Sequence, residues 1–214
     1  MRPPTAAIAE IAPEAEPMLG EVRALAEQAG TAAGALGWVA PTLPSVADVP
    51  SLRAFAEHYA LETVARREWP AVLAAWQFAR AGHARELIAL DRAWTAEHAR
   101  TEFAEPSFRV GRRQLNQLRP LRHERVVQRY LAAIEAGEAR GWHPLVYGVT
   151  LAVFNLPLRQ GLLNYATQTL AGLVSAAEAR HALPATECQA LLDSLGAALP
   201  ERLPPLPGLP FGQP

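Results

Sequence analysis

The chain has 214 residues, of which 50% are hydrophobic and 19% charged, a balance that suits one globular domain with a sizeable core. Its 20 basic and 21 acidic residues leave a formal net charge of −1, so nothing in the charge asks for nucleic acid as a partner. Every basic residue is arginine, which excludes a Schiff-base or pyridoxal-phosphate lysine and the lysine of a phosphate-binding P-loop, while the lone Cys188 excludes an intrachain disulfide and a thiolate zinc cluster.

Residues 1–16 are rich in Ala, Pro and Glu without an apolar face, and read as a mobile N-terminal arm. The same stretch lacks the uninterrupted apolar core of a signal peptide, so a cytoplasmic location is expected. Leu19, Val22, Leu25 and Ala26 predict a short amphipathic helix from Pro17 to Ala29. Gly30, Gly34 and Gly37, then Pro41, Pro44 and Pro50, predict a long loop that Trp38 pins to the core.

Helices then follow closely. The first covers Ser51 to Arg67, with Leu52, Phe55, Ala56 and Tyr59 on one face and Arg53–Glu57 and Glu62–Arg66 as exposed pairs. A second covers Pro70 to Ala81 and stops at Gly82; a third, Ala84 to Ala99, carries Leu87, Ile88 and Trp94. Pro106 to Leu118 and His123 to Ala136 form the next two, separated by Pro120 and ended by Gly137.

The organising stretch is Trp142 to Arg180, two helices joined at Pro157. Pro144 suits a first helical turn, and Leu145, Val149, Ala152, Val153 and Leu156 recur on one face. Leu163, Ala166, Leu170, Leu173, Val174 and Ala177 form the stripe of the second helix, about 36 Å long at 1.5 Å per residue. Gln160 to Ala177 carries no charge, yet its Gln, Asn and Thr side chains would be orphaned in hydrocarbon, so no membrane span is expected. A last helix covers Pro184 to Leu199. The proline-rich segment 200–214 reads as a tail in which Pro204 and Pro207 have polyproline-ligand spacing. No alternating strand pattern occurs, so the fold class is all-α: a single compact helical domain at 17–199, with eight or nine helices and flexible termini.

Catalytic chemistry does not announce itself. No H-x-x-x-H, E-x-x-H or H-E-x-x-H pair is expected on a helix, and His83–Glu86 and His98–Glu102 have usable spacing but supply only two ligands each. His181 and Cys188 flank Pro184 and are weak candidates for nickel, against the plainer reading of Cys188 as a small buried apolar group. No cofactor is expected.

Three segments carry a family resemblance: V-P-S-L-R-A-F-A-E (49–57), R-T-E-F-A-E-P-S-F-R-V-G-R-R-Q-L (100–115), and H-P-L-V-Y-G-V followed by N-L-P-L-R-Q-G-L-L-N-Y and S-A-A-E-A-R (143–180). In order and spacing these resemble the urease accessory protein family UreF over roughly residues 49–195. Ala29 to Pro41 and the H-A-L-P-A-T-E-C-Q segment at 181–189 depart from the family pattern. The resemblance implies a non-enzymatic urease maturation adaptor that forms a homodimer. Its implied partners are a UreD/UreH-type scaffold, a UreG-type GTPase and urease apoprotein, brought together so that nickel can be inserted. It also implies partner contacts at Arg180, Tyr165 and Gln189. Two alternatives stand beside it: a small all-helical enzyme of the haem-oxygenase-like or thiaminase-like type, which the poor position of Cys188 disfavours, and a generic helical interaction module.

Overall fold

The computed structural model describes residues 46–206 apart from Glu102. The expected arm at 1–16, the helix at 17–29, the loop with Trp38 and the end of the tail lie outside those residues. Helices α1 (Val49–His58), α2 (Trp69–Arg80), α3 (Ala84–His98), α4 (Ala104–Gln117) and α5 (Arg125–Glu135) are followed by α6 (His143–Val153), α7 (Leu158–His181) and α8 (Ala185–Ala198). A π-helical segment, Tyr59–Glu68, joins α1 to α2, and a 3₁₀ turn, Leu199–Arg202, follows α8. No strand occurs among the described residues, and the architecture is all-α.

Helix α1 opens on a reciprocal cap: the Ser51 amide donates to Asp48 Oδ1 at 2.9 Å, and the Asp48 amide donates to Ser51 Oγ at 3.0 Å. The sequence predicts a break between Arg67 and Pro70, but the chain stays helical from Val49 to Arg80. Proline inside an α-helix removes one amide donor and collides with the carbonyl four residues back. The π-helical turn that precedes Pro70 is wider, and the Trp69 amide reaches back to the Val64 carbonyl, five residues away. Pro70 is thereby accommodated and two expected helices become one.

Helix α6 is the centre of the molecule. The sequence predicts one apolar stripe on it, yet every residue from His143 to Leu151 is buried. It packs most extensively against α2 and next against α4. Both approaches need glycine. A Cβ on Gly148 would lie 2.3 Å from the Val72 carbonyl oxygen, and one on Gly111 of α4 would lie 2.1 Å from the Gly141 carbonyl oxygen.

The α2–α6 pair forms a wall shared by two apolar clusters. On one side Trp69, Val72, Trp76, Tyr147 and Leu151 meet α1, the π segment, α7 and α8. On the other side Ala75, Leu145, Val146 and Val149 meet α3, α4 and α5. Two hydrogen bonds fix the start of α7 to this wall. Trp69 Nε1 donates to the Leu162 carbonyl at 2.8 Å, and the Tyr147 hydroxyl donates to the Gly161 carbonyl at 3.1 Å.

The junction at Pro157 and the length of α7 match the expected helical hairpin. Its buried stripe is displaced slightly from the expected one: Leu162 and Tyr165 are core residues, whereas Leu163 is half-buried. At the C-terminal end, Leu203 and Leu206 pack against the first cluster, so the described start of the proline-rich segment lies on the domain.

Candidate functional site

Two places bear on function: the corner where α7 turns into α8, and a pocket over the π segment.

The corner begins where α7 ends. Ala182 takes the left-handed conformation (φ 50°), and the Leu183 amide caps the Glu178 carbonyl at 3.2 Å. Pro184 then opens α8, and Cys188, Leu191 and Leu195 anchor that helix in the core. With the backbone so fixed, Arg180 and Gln189 both stand exposed on this helical hairpin. Gln189 Nε2 donates to Asp193 Oδ1 at 2.8 Å, one helical turn on. Tyr165 differs from these two. It is fully buried in the middle of α7, so its side chain belongs to the core and cannot touch a partner docked on the surface.

His181 is half-buried, with Nε2 shielded from solvent and without a hydrogen-bond partner, and Cys188 is buried. Burial raises the Cys188 thiol pKa, and the nearby Glu178 and Glu187 charges raise it further, so the thiolate that binds metal is disfavoured. Glu178 and His181, at the end of α7, do have E-x-x-H spacing, which corrects the expectation that the chain holds no such pair. Among the described residues no group of three or more His, Cys, Asp or Glu side chains is placed to hold a metal ion. His83 and Glu86 are exposed at the start of α3, and His98 lies stacked on Trp94 at 4.2 Å between ring centroids.

The pocket depends on the winding of the π segment. At about 3.6 residues per turn, nine residues span about two and a half turns of an α-helix and finish on opposite faces. In the wider π turn they come close to two full turns. Tyr59 and Glu68, the two ends of that segment, therefore share one face, and the Tyr59 hydroxyl donates to Glu68 Oε1 at 3.4 Å. Glu68 is 8% exposed, and its other oxygen, Oε2, has no hydrogen-bond partner among the described residues.

Burial pushes the Glu68 carboxyl up to about 7, with the hydroxyls of Tyr165 and Tyr59 pulling against it. Behind it, the His143 ring stacks on Tyr165 at 5.2 Å, fully buried, with both ring nitrogens unpartnered. Burial, reinforced by the charge of Arg113, pulls His143 down to about 3 and keeps it neutral. In front of Glu68 opens a pocket of about 260 Å³, walled by Phe55, Tyr59, Phe103, Trp94 and Trp142. Sequence reading missed Glu68. The available signal was the two-residue gap before Pro70, Glu68 and Trp69, which contains no turn-forming residue.

Compared with known protein families, residues 46–196 match the model of the UreF family. No curated protein matches the chain.

Proposed function

The chain belongs to the UreF family, and from that premise we propose that it serves as a non-catalytic adaptor in assembling the nickel centre of urease. Membership itself implies an accessory role in urease maturation. The finer reading is that the chain bridges a UreD/UreH-type scaffold and a UreG-type GTPase, acting as a homodimer on urease apoprotein in the cytoplasm. The single observation that carries it is the family match over 46–196, which spans nearly the whole described domain.

The physical character of the molecule suits such a role. It offers a stiff helical body held by the α2–α6 wall, and exposed polar side chains at the end of its longest helix. Among the described residues no helix is long and apolar enough to cross a membrane. In this reading Arg180 and Gln189 meet the scaffold directly. Tyr165 contributes from beneath, by fixing α7 against Glu68 and His143.

The experiment is co-purification. Tagged chain, co-expressed with a scaffold and a GTPase of these types, should retain both through size-exclusion chromatography. Recovery of the chain alone under those conditions would contradict the bridging role.

A further inference from the structure

The pocket over the π segment has features that the adaptor role does not use. It opens where the end of α1, the π segment, the end of α3 and the first turns of α4 and α6 come together, and its volume is about 260 Å³. Pockets for drug-sized ligands hold about 300–1,000 Å³, so this one suits a smaller body built on a single ring. Its walls are aromatic. The Tyr59 and Phe103 rings meet edge to face at 5.5 Å, and the Trp94 and Trp142 rings do so at 6.5 Å.

The charged side chains around it are mostly basic: His58, Arg67 and His98. A second cavity, of about 520 Å³, shares Arg67, Trp94 and His98 with the first, so these three form the ridge between the two. Arg53 and Arg66 are paired with Glu57 and Glu62, whereas Arg67 forms no ion pair among the described residues. Glu97 borders the second cavity and not the first. Glu68 is the one acid among the described residues that line the first pocket, and it offers no open oxygen there. Its Oε2 is shut off from solvent, and its Oε1 accepts the Tyr59 hydroxyl. Ser107, also lining the pocket, is 6% exposed. Its Oγ accepts the His143 amide at 3.2 Å, and its own proton goes to no acceptor among the described residues.

We propose that this pocket binds a small arylalkyl carboxylate, with the ring among the aromatic side chains and the carboxylate against Arg67 on the ridge.

Three properties select that ligand. First, a guanidinium without a carboxylate partner, at the edge of an apolar cavity, presents a fork of donors that matches a carboxylate. The buried acid opposes this little, because burial pushes the Glu68 carboxyl up to about 7 and favours its neutral form. Second, rings set edge to face gain more from an aromatic body than area burial alone supplies. Third, the spare polar capacity of the buried Ser107 hydroxyl is a donor, which a ligand bringing acceptors satisfies and an ammonium group does not.

The test is calorimetric titration of the full-length protein in low salt, with Trp94 and Trp142 fluorescence followed in parallel. The probes are phenylacetate and 3-phenylpropionate, with their neutral amides, phenylacetamide and 3-phenylpropanamide, as comparisons. The expected result is saturable binding of at least one carboxylate, with its amide weaker by about fivefold or more. Arg67→Gln should weaken the carboxylate by a similar factor and leave the amide unchanged. Arg67 is exposed, so this variant is expected to fold, and the amide comparison stands on unaltered protein in any case. Absence of saturable binding by both carboxylates would overturn the proposal. So would equal binding of an amide and its carboxylate, or undiminished carboxylate binding by a folded Arg67→Gln variant.

Discussion

Gly148 on α6 sits directly against the Val72 carbonyl of α2, with the Ala75 methyl 3.0 Å and the Val72 oxygen 2.3 Å from where a Cβ would project. Two helices can approach this closely only if one is bare at the crossing, and this crossing joins the two apolar clusters of the domain. Gly148→Ala must therefore push backbone against backbone. A loss of about 1–3 kcal/mol or more is expected in denaturant unfolding, as for an overpacked core. Gly196, on α8, has open space where its Cβ would be. There the same substitution should gain about 0.5–1 kcal/mol through helix propensity. Equal effects at the two sites would contradict the packing account.

The second prediction concerns Asp91, fully buried on α3. Its carboxylate accepts the Tyr130 hydroxyl at 2.5 Å and the backbone amides of Arg140 and Gly141 at 2.6 and 2.9 Å. It thus ties α3 and α5 to the turn that leads into α6. Asp91→Ala orphans three buried or half-buried donors, and each should cost about 1–3 kcal/mol. Tyr130→Phe removes one bond to a charged acceptor and should cost about 1.5–3 kcal/mol. Thermal unfolding that ranks Tyr130→Phe as the more damaging change would show that Asp91 is not the hub of this turn.

Glu68 and His143 make opposite contributions to the pH dependence of stability. Glu68 is raised from 4.5 to about 7 in the fold, so the native state holds the extra proton between those values. Its contribution is fully present below pH 4.5 and is lost as pH rises through 7. His143 is lowered from 6.5 to about 3, so the unfolded state holds the extra proton there. Its contribution is present above pH 6.5 and is lost as pH falls through 3.

Between pH 4.5 and 6.5 the two slopes oppose each other in the unaltered protein. Relative to it, Glu68→Gln should gain stability steadily from pH 4.5 to 7, by up to about 3 kcal/mol, and then level off. His143→Phe, which keeps the stack on Tyr165, should gain relative stability as pH falls below 6.5. Urea unfolding across this range checks both, and a pH-independent difference for either variant would remove that group from the account.

Arg180 is exposed at the last turn of α7, ahead of the left-handed Ala182. As a cation near the helix C-terminus it should contribute only about 0.3–1 kcal/mol to the fold. If it also meets the scaffold, Arg180→Ala should weaken that complex by about 2 kcal/mol or more, in the range of interface hot spots. Thermal unfolding run beside pull-down separates the two roles. A variant that unfolds much earlier, or one that binds the scaffold as the unaltered protein does, leaves Arg180 a structural residue.

Much of the architecture is legible in the sequence because helical periodicity and proline or glycine punctuation are local signals. Pro144 and Pro157 sit where the chain starts and restarts a helix, and the stripe from Ala166 to Ala177 is buried as its spacing predicts. Pro70 shows the limit of that logic. Whether proline breaks a helix or widens it depends on how the preceding turn winds, and that winding is set by burial of Tyr59, Val64 and Glu68 against other helices.

Helix α6 shows the same limit, because a helix buried all round has no polar face for periodicity to contrast with. Of the candidate site residues, Arg180 and Gln189 lie on the surface, where a partner can reach them, whereas Tyr165 carries no sequence mark of the core position it occupies. Glu68 was invisible as a site because a charged residue between two arginines and a tryptophan reads as a solvated helix face. Only the π winding turns it inward.

The central claim is that this chain assists urease maturation, and nickel loading tests it most directly. Urease apoprotein, a UreD/UreH-type scaffold and a UreG-type GTPase from one source are co-expressed with or without the chain, and nickel per active site is measured alongside urease activity. The account predicts that both rise when the chain is present and fall to background when it is omitted. Equal nickel content and activity in its presence and absence would contradict it.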